Sequence, residues 1–398
     1  MREFVAYFTK GLGDVVAGEL RELLPSADDR VGEPGERFVL VVTGLAGAGR
    51  VLAGARTVDD VRLLVAGPER VTDEETFRAL CATAARRTEE FLADDPGRAG
   101  AAWSVTVSAR KPPWAGRPGR PSRSGWSPGE VIAATLHGAD VAGTERAPVD
   151  LRVQADGEIM HVAVSLGGLA GGRRPDRVDR VDRVDRVDRV DRVENRRGAL
   201  RPTVAAAMVR LALAQLAPAR PGGGHLGEGH LGEGHGAPGR AWVLYDPFAG
   251  TGTIVAEALR RGLGVFASDA DPEAVRLTRE QVARLGGTGG DEGMLTHRVF
   301  AHDVRQGAAR RVRADLVVGN MPWGKQVEIP RRQELFDGTA EVIRPVVTAG
   351  GTAVLLTTHE EQFTARLRRA LPGTGITTRR IGLLGQTPAI VTVSPADG

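Results

Sequence analysis

Apolar and polar positions along this chain follow two rhythms, and the change between them falls near Leu200. In the first half, Phe4 to Phe8 alternate as a strand does, Leu12 to Leu24 recur at helical spacing, and Phe38 to Val42 form a buried strand run. Thr76 to Leu92 predicts an amphipathic helix, Trp103 to Ser108 an alternating strand and Gly129 to Leu136 a short helix. Val149 to Val153 and Met160 to Val164 predict a hairpin turned at Asp156-Gly157. From Leu200 onward strands and helices alternate. The pattern predicts helix 203–216, strand 241–245, helix 252–261, strand 264–268, helix 271–284, strands near 297–300 and 314–319, helix 332–347, strand 351–357 and helix 360–370. Two closing strands, near 376–382 and 388–393, are close enough in sequence to pair antiparallel at an edge. Such an order predicts an α/β, mostly parallel sheet with helices on both faces, which receives ligands outside the carboxyl ends of its strands.

Composition narrows this picture. The chain has 398 residues, enough for two or three domains with ample core. Its net charge is only +3, so a basic surface for a polyanion has to be local. Lys10, Lys111 and Lys325 are the only lysines, and arginine carries the remaining positive charge. The single cysteine, Cys81, excludes an internal disulfide and a cysteine-cluster zinc site. No apolar run reaches membrane-spanning length, and the opening Met1-Arg-Glu-Phe-Val-Ala-Tyr lacks a signal-peptide pattern. A soluble, cytoplasmic protein is expected.

Two segments stand apart. Asp-Arg-Val repeats six times from Asp176 to Val193, a period that fits neither helix nor strand. A slippage insertion in a tolerant connector accounts for it more simply than a binding arm. Gly222 to His235 brings His225, His230 and His235 at even spacing, but glycine-rich sequence gives no rigid ligand frame, so no metal is expected.

The chemistry gathers at the carboxyl ends of the predicted strands. Val243-Leu-Tyr-Asp runs into Asp246-Pro-Phe-Ala-Gly-Thr-Gly-Thr253, and a helix follows at once. Gly250 and Gly252 permit a tight turn and close approach of a ligand to the backbone. The spacing fits neither the dinucleotide nor the P-loop fingerprint, and Asp246 would repel a pyrophosphate. A cationic, nucleotide-like ligand without phosphate fits better, and S-adenosylmethionine is one. Asp246, Phe248, Gly250, Thr251, Gly252 and Thr253 are therefore candidate cofactor contacts. Asp269, ending the next strand nineteen residues past Gly250, lies at the usual distance for gripping ribose hydroxyls. Asp303 can accept from an adenine amino group while Val304 packs on the ring. The fourth strand ends in Asn320-Met-Pro-Trp323. There the Asn320 amide oxygen and the Pro322 carbonyl can accept from an exocyclic amine, and Trp323 offers a face for a base to stack on. The absence of a nearby cysteine disfavours a covalent thiol mechanism.

Together, Asp246-Pro-Phe-Ala-Gly-Thr-Gly-Thr and Asn320-Met-Pro-Trp-Gly-Lys-Gln resemble the class I S-adenosylmethionine-dependent methyltransferases that modify amino groups, and more specifically the THUMP-domain RNA guanine-N2 methyltransferases. Ala199-Leu-Arg-Pro-Thr-Val-Ala-Ala-Ala-Met208 is similar to the segment that walls the cofactor pocket in that family, which implies contacts from Pro202 and Thr203. The resemblance implies a ferredoxin-like domain over 1–70, a THUMP RNA-binding domain over 71–170, a low-complexity linker over 171–199 and a class I, Rossmann-like methyltransferase domain with a seven-stranded sheet over 200–398. Three departures stand out: Met321 replaces a proline common in the fourth motif, the Asp-Arg-Val tract occupies a usually compact connector, and the histidine-glycine patch enlarges the loop before the first strand.

The RNA side rests on Arg110, Lys111, Arg117, Arg120 and Arg123, which have no acid among them and Trp114 and Trp126 between or beside them. Cations meet phosphates, and aromatic rings stack unpaired bases. Lys325, directly after the catalytic turn, is placed to meet a phosphate of the target strand. The expectation is N2-methylguanosine formation in tRNA. Ribosomal RNA, adenine-N6 methylation and a non-catalytic RNA-binding protein remain as alternatives.

Overall fold

The computed structural model describes residues 1–93, 103–109, 149–156, 158–165, 199–216, 242–286, 297–309, 312–323 and 331–395. The helix predicted over Gly129 to Leu136, the Asp-Arg-Val tract, the histidine-glycine patch, Arg110, Lys111, Arg117, Arg120, Arg123 and Lys325 all lie outside these residues. By their contacts the residues form two compact units: 1–7, 23–54 and 60–184 in one, and 8–22, 55–59 and 185–398 in the other.

The first unit is built on a seven-stranded sheet in the order β2-β3-β1-β4-β7-β6-β5. Its strands are β1 (Arg2–Tyr7), β2 (Arg30–Val31), β3 (Phe38–Thr43), β4 (Asp60–Arg70), β5 (Trp103–Ala109), β6 (Val149–Asp156) and β7 (Ile159–Ser165). The predicted hairpin is present, with Asp156 opposite Ile159. β3 alternates buried and half-buried positions, so it is a strand with one covered face and not the fully buried run its apolar residues suggested. Helices α2 (Leu45–Gly54) and α3 (Glu74–Ala93) pack on this sheet. Phe77, Leu80 and Cys81 of α3 are buried, and burial pushes the Cys81 thiol up to about 12.

The second unit has the regular alternation read from the sequence. Its strands are β8 (Val243–Asp246), β9 (Gly264–Asp269), β10 (His297–Ala301), β11 (Leu316–Asn320), β12 (Thr352–Thr357), β13 (Gly375–Arg380) and β14 (Ala389–Ser394). They run in the order β10-β9-β8-β11-β12-β14-β13, parallel from β10 to β12, with β14 antiparallel to both of its neighbours. Helices α4 (Pro202–Leu216), α5 (Thr253–Arg260) and α6 (Pro272–Gly286) pack together over one face, and α7 (Arg332–Thr348) and α8 (Glu360–Ala370) over the other. Burial runs nearly all round α4, which explains its weak amphipathic signal. No described helix is long and apolar enough to cross a membrane.

Two pieces from the N-terminal part of the chain belong to this unit. Helix α1 (Gly13–Leu23) is preceded by Leu12, which is fully buried in the core beside α4, α5 and the sheet. Glu19 of α1 is 3% exposed. Its carboxylate accepts from the Thr57 amide at 2.7 Å and the Thr57 hydroxyl at 2.5 Å. Arg56 reaches Glu257 of α5, a residue only 1% exposed, with Nη2–Oε1 at 2.7 Å. These bonds fasten residues 55–59 to both α1 and α5, and nothing in the hydrophobic periodicity announced them.

Candidate active site

The turn after β8 is held from three sides. The Asp246 Oδ1 accepts from the Phe248 amide at 3.0 Å, an Asx turn closed within the loop itself. The Ala249 amide donates to the Ser268 carbonyl of β9 at 3.0 Å, and the Gly250 amide to Asp269 Oδ2 at 2.9 Å. From α6, the Thr278 hydroxyl donates to the Gly250 carbonyl at 3.1 Å. Gly250 and Gly252 both adopt left-handed backbone, φ 54 and 79, which explains the two glycines physically. Gly252 caps α5 and presses on α6: a Cβ there would lie 3.3 Å from the Gln281 Cβ. At Gly250 a Cβ would meet nothing closer than the Phe248 carbonyl at 3.9 Å, so that side of the loop is open. Thr251 and Thr253 approach each other at 3.4 Å between hydroxyls.

Asp246 is 1% exposed, and its Oδ2 has no partner among the described residues. Burial, then the nearby Asp269 carboxylate, push its carboxyl up to about 8, against the Phe248 amide, which lowers it. Asp269 is shifted upward too, chiefly by burial, although the Asp271 and Gly250 amides bond to it. A buried and a half-buried carboxylate at adjacent strand ends, the buried one with an oxygen unpartnered among the described residues, form a site short of positive charge. A compact cation with hydrogen-bond donors fits it. An anion does not.

The next parallel strand, β11, supplies the other half. Leu316 and Val317 pair with Leu244 and Tyr245 of β8, so the carboxyl ends of the two strands are neighbours. A Cβ on Gly319 would lie 3.1 Å from the Phe248 ring, which brings the glycine turn against the Asn320 turn. Asn320 ends β11 opposite Leu356 of β12, and the Met321 amide donates to the Leu356 carbonyl at 3.0 Å. Met321 is 1% exposed and fills the core on the α7–α8 face, and a proline here could not make its amide hydrogen bond to Leu356. Trp323 is half-buried against the core beneath α4 and α5, and its Nε1 donates to Asn320 Oδ1 at 2.9 Å. Pro322 lies between them, half-buried.

The remaining predicted contacts divide. Asp303 follows β10, caps a short 3-10 turn over Val304–Gln306 and is held by Arg305, with Nε to Oδ2 at 2.9 Å. That guanidinium keeps its carboxyl below the usual carboxylate range. Val304 is buried against α7. Pro202 and Thr203 open α4 and are buried, with the Thr203 hydroxyl donating to Asp59 Oδ1 at 2.7 Å. The structure thus brings Asp246, Phe248, Gly250, Gly252 and Asp269 together with Asn320 and its turn, while Asp303 and Thr203 are engaged by partners of their own. The reading from residues missed Thr278, Gln281 and Asp59. Thr278 and Gln281 were legible as buried polar positions on an amphipathic helix. Asp59 gave no sequence signal.

The strand order, with the single antiparallel strand β14 between β12 and β13, is that of the class I methyltransferase fold. Residues 239–382 match the family model described as RMKL-like, methyltransferase domain. Among solved structures the chain is similar over its whole length to TrmN from Thermus thermophilus, at 23% identity and a TM-score of 0.61, covering 99% of this chain and 100% of that one. It is also similar to a possible methylase from Clostridium difficile 630, at 14% identity and a TM-score of 0.58, covering 100% of this chain and 98% of that one. No curated protein matches the sequence.

Proposed function

We propose that this chain is an S-adenosylmethionine-dependent RNA methyltransferase that forms N2-methylguanosine, with tRNA as its substrate. The observation that carries the reading is the pairing of a buried carboxylate oxygen at the end of β8, unpartnered among the described residues, with the Asn320 amide at the end of β11, on either side of one loop contact. Asp246 and Asp269 would hold the cofactor's cationic and hydroxyl groups, and the open side of Gly250 leaves room for close approach. When bound, S-adenosylmethionine supplies a methyl group on a sulfonium, an electrophile that needs no acid. The chain's own part is alignment. Asn320 has one oxygen lone pair engaged by Trp323 and one left for the substrate amine. The Pro322 carbonyl is a second acceptor, and together the two would turn the nitrogen lone pair toward the methyl group. The amine proton leaves to solvent as the new bond forms.

RNA as the substrate is supported by the basic, tryptophan-bearing segment 104–126, and by the family resemblance that assigns the N-terminal part a THUMP-type RNA-binding role. Incubation with labelled S-adenosylmethionine and total RNA, followed by digestion to nucleosides, tests the whole reading. Label in N2-methylguanosine from the tRNA fraction is the expected result. Label in ribosomal RNA would move the substrate, and label in N6-methyladenosine would overturn the base. No label and no cofactor binding would leave a non-catalytic RNA-binding protein.

A further inference from the structure

We propose that Trp323 is a positioning residue that works through Asn320, its indole N–H selecting which end of the Asn320 amide faces the substrate. The inference rests on the reading above that Asn320 receives the acceptor amine. Asn320 has a fixed backbone, because it ends β11 in register with Leu356 and the following amide is bonded to that residue. Its side chain is not fixed by the sheet. The last torsion of an asparagine is broad and nearly two-fold, so the oxygen and the NH2 exchange places at little cost. Only one orientation serves a donor amine, since the flipped amide presents N–H to N–H.

The indole breaks that symmetry. Trp323 Nε1 donates to Asn320 Oδ1 at 2.9 Å, and a donor at this distance favours an oxygen there and repels an NH2 group. The indole is itself restrained. Its ring packs on the core beneath α4 and α5, and the backbone carbonyl of Trp323 accepts from the Thr358 hydroxyl at 3.4 Å. The chain of restraint runs from the end of β12 through Thr358 and Trp323 to the Asn320 oxygen. Stacking on a base alone would leave the edge without duty, whereas here the residue packs partly against the core and the edge carries a bond. Phenylalanine would keep a flat ring at this position but not the donor.

The test replaces Trp323 with benzothienylalanine, in which sulfur stands where the N–H was and the ring keeps its size. Wild type and variant are compared for kcat, KM for tRNA, tRNA affinity by anisotropy, cofactor affinity and thermal midpoint. The expected result is a loss of roughly tenfold in kcat, the scale of one neutral hydrogen bond, with both affinities and the midpoint unchanged. Trp323→Phe should show the same split. An unchanged kcat would overturn the proposal, and so would a rise in KM that tracks weakened tRNA affinity at constant kcat, because that is the signature of stacking alone. A wild-type protein that methylates no RNA would sink the parent reading instead, so the two failures are distinguishable.

Discussion

The segment 55–59 is joined to the second unit by a bond whose loss can be sized. Glu257 is 1% exposed and accepts from Arg56 Nη2 at 2.7 Å, from Arg56 Nε at 3.3 Å and from Arg260 Nη1 at 2.9 Å. Arg56→Met keeps most of the aliphatic stem and removes the guanidinium. Breaking a buried pair from one side costs about 3–5 kcal/mol, because a charge is left in low dielectric without its partner. Arg260 remains on the same carboxylate, so the expected loss is at the lower end, about 3 kcal/mol. In a unit of this size that lowers the thermal midpoint by roughly 6–12 °C. Since the chain has two units, a whole-chain melt does not isolate the effect. Hydrogen exchange followed by mass spectrometry does, with the opening free energy read at the amides of α5, residues 253–260. A double-mutant cycle with Glu257→Gln should return a coupling of about 1–3 kcal/mol. A change under about 0.5 kcal/mol at α5, the range of an ordinary surface substitution, would refute the claim that residues 55–59 are structural members of this unit.

Three further outcomes are expected. Gly252→Ala forces an L side chain into φ 79 with its Cβ 3.3 Å from that of Gln281, and should cost about 1–2 kcal/mol of stability and weaken cofactor binding, read by urea unfolding and calorimetric titration. Asp246 is raised from an unfolded value of 3.8 to about 8, so the stability tied to its neutral form is complete below the unfolded value and is lost as pH rises through that interval. Asp246→Asn should flatten this fall, and urea midpoints at two pH values inside the interval check it; an unaltered slope would count against the buried neutral acid. Asn320→Ala should abolish turnover and leave cofactor affinity within a few-fold, and retained turnover in a single-turnover assay would remove it from the mechanism.

Much of the second unit was legible because its helices and strands each bury one predictable pattern. The predicted helix 271–284 is α6 at Pro272–Gly286, and the predicted strand 314–319 is β11 at Leu316–Asn320. The closing strands pair antiparallel as expected, and β14 takes the inner position beside β12. The first half was harder. Helix α2 is rich in small residues, Ala and Gly among them, which carry little amphipathic signal. β2 spans only Arg30–Val31, too short for any period to register. Residues 8–22 join the second unit through Leu12 in its core, and residues 55–59 through ion pairs and buried hydroxyls that connect positions far apart in sequence. Side-chain partnerships of this kind have no local pattern to read. The same limit applied to the site: the glycine turn and the Asn320 turn were visible as motifs, but the indole bond between Trp323 and Asn320 was not.

What joins the two motifs is a missing methyl group. Gly319 precedes Asn320, and a Cβ there would press within 3.1 Å of the Phe248 ring, 3.3 Å of Leu355 and 3.4 Å of Pro247. Phe248 and Pro247 belong to the loop that carries Asp246, and Leu355 belongs to the strand on the other side of β11. Close packing at the end of β11 leaves no slack to absorb an added atom. A side chain at 319 would therefore push the loop carrying Asp246 away from the Asn320 turn, although neither Gly319 nor Phe248 carries a polar side chain of its own. Transfer between two bound groups falls steeply with small displacements. The spacing of the two turns is thus set by a residue with no polar side chain, and a pattern of polar motifs carries no trace of it.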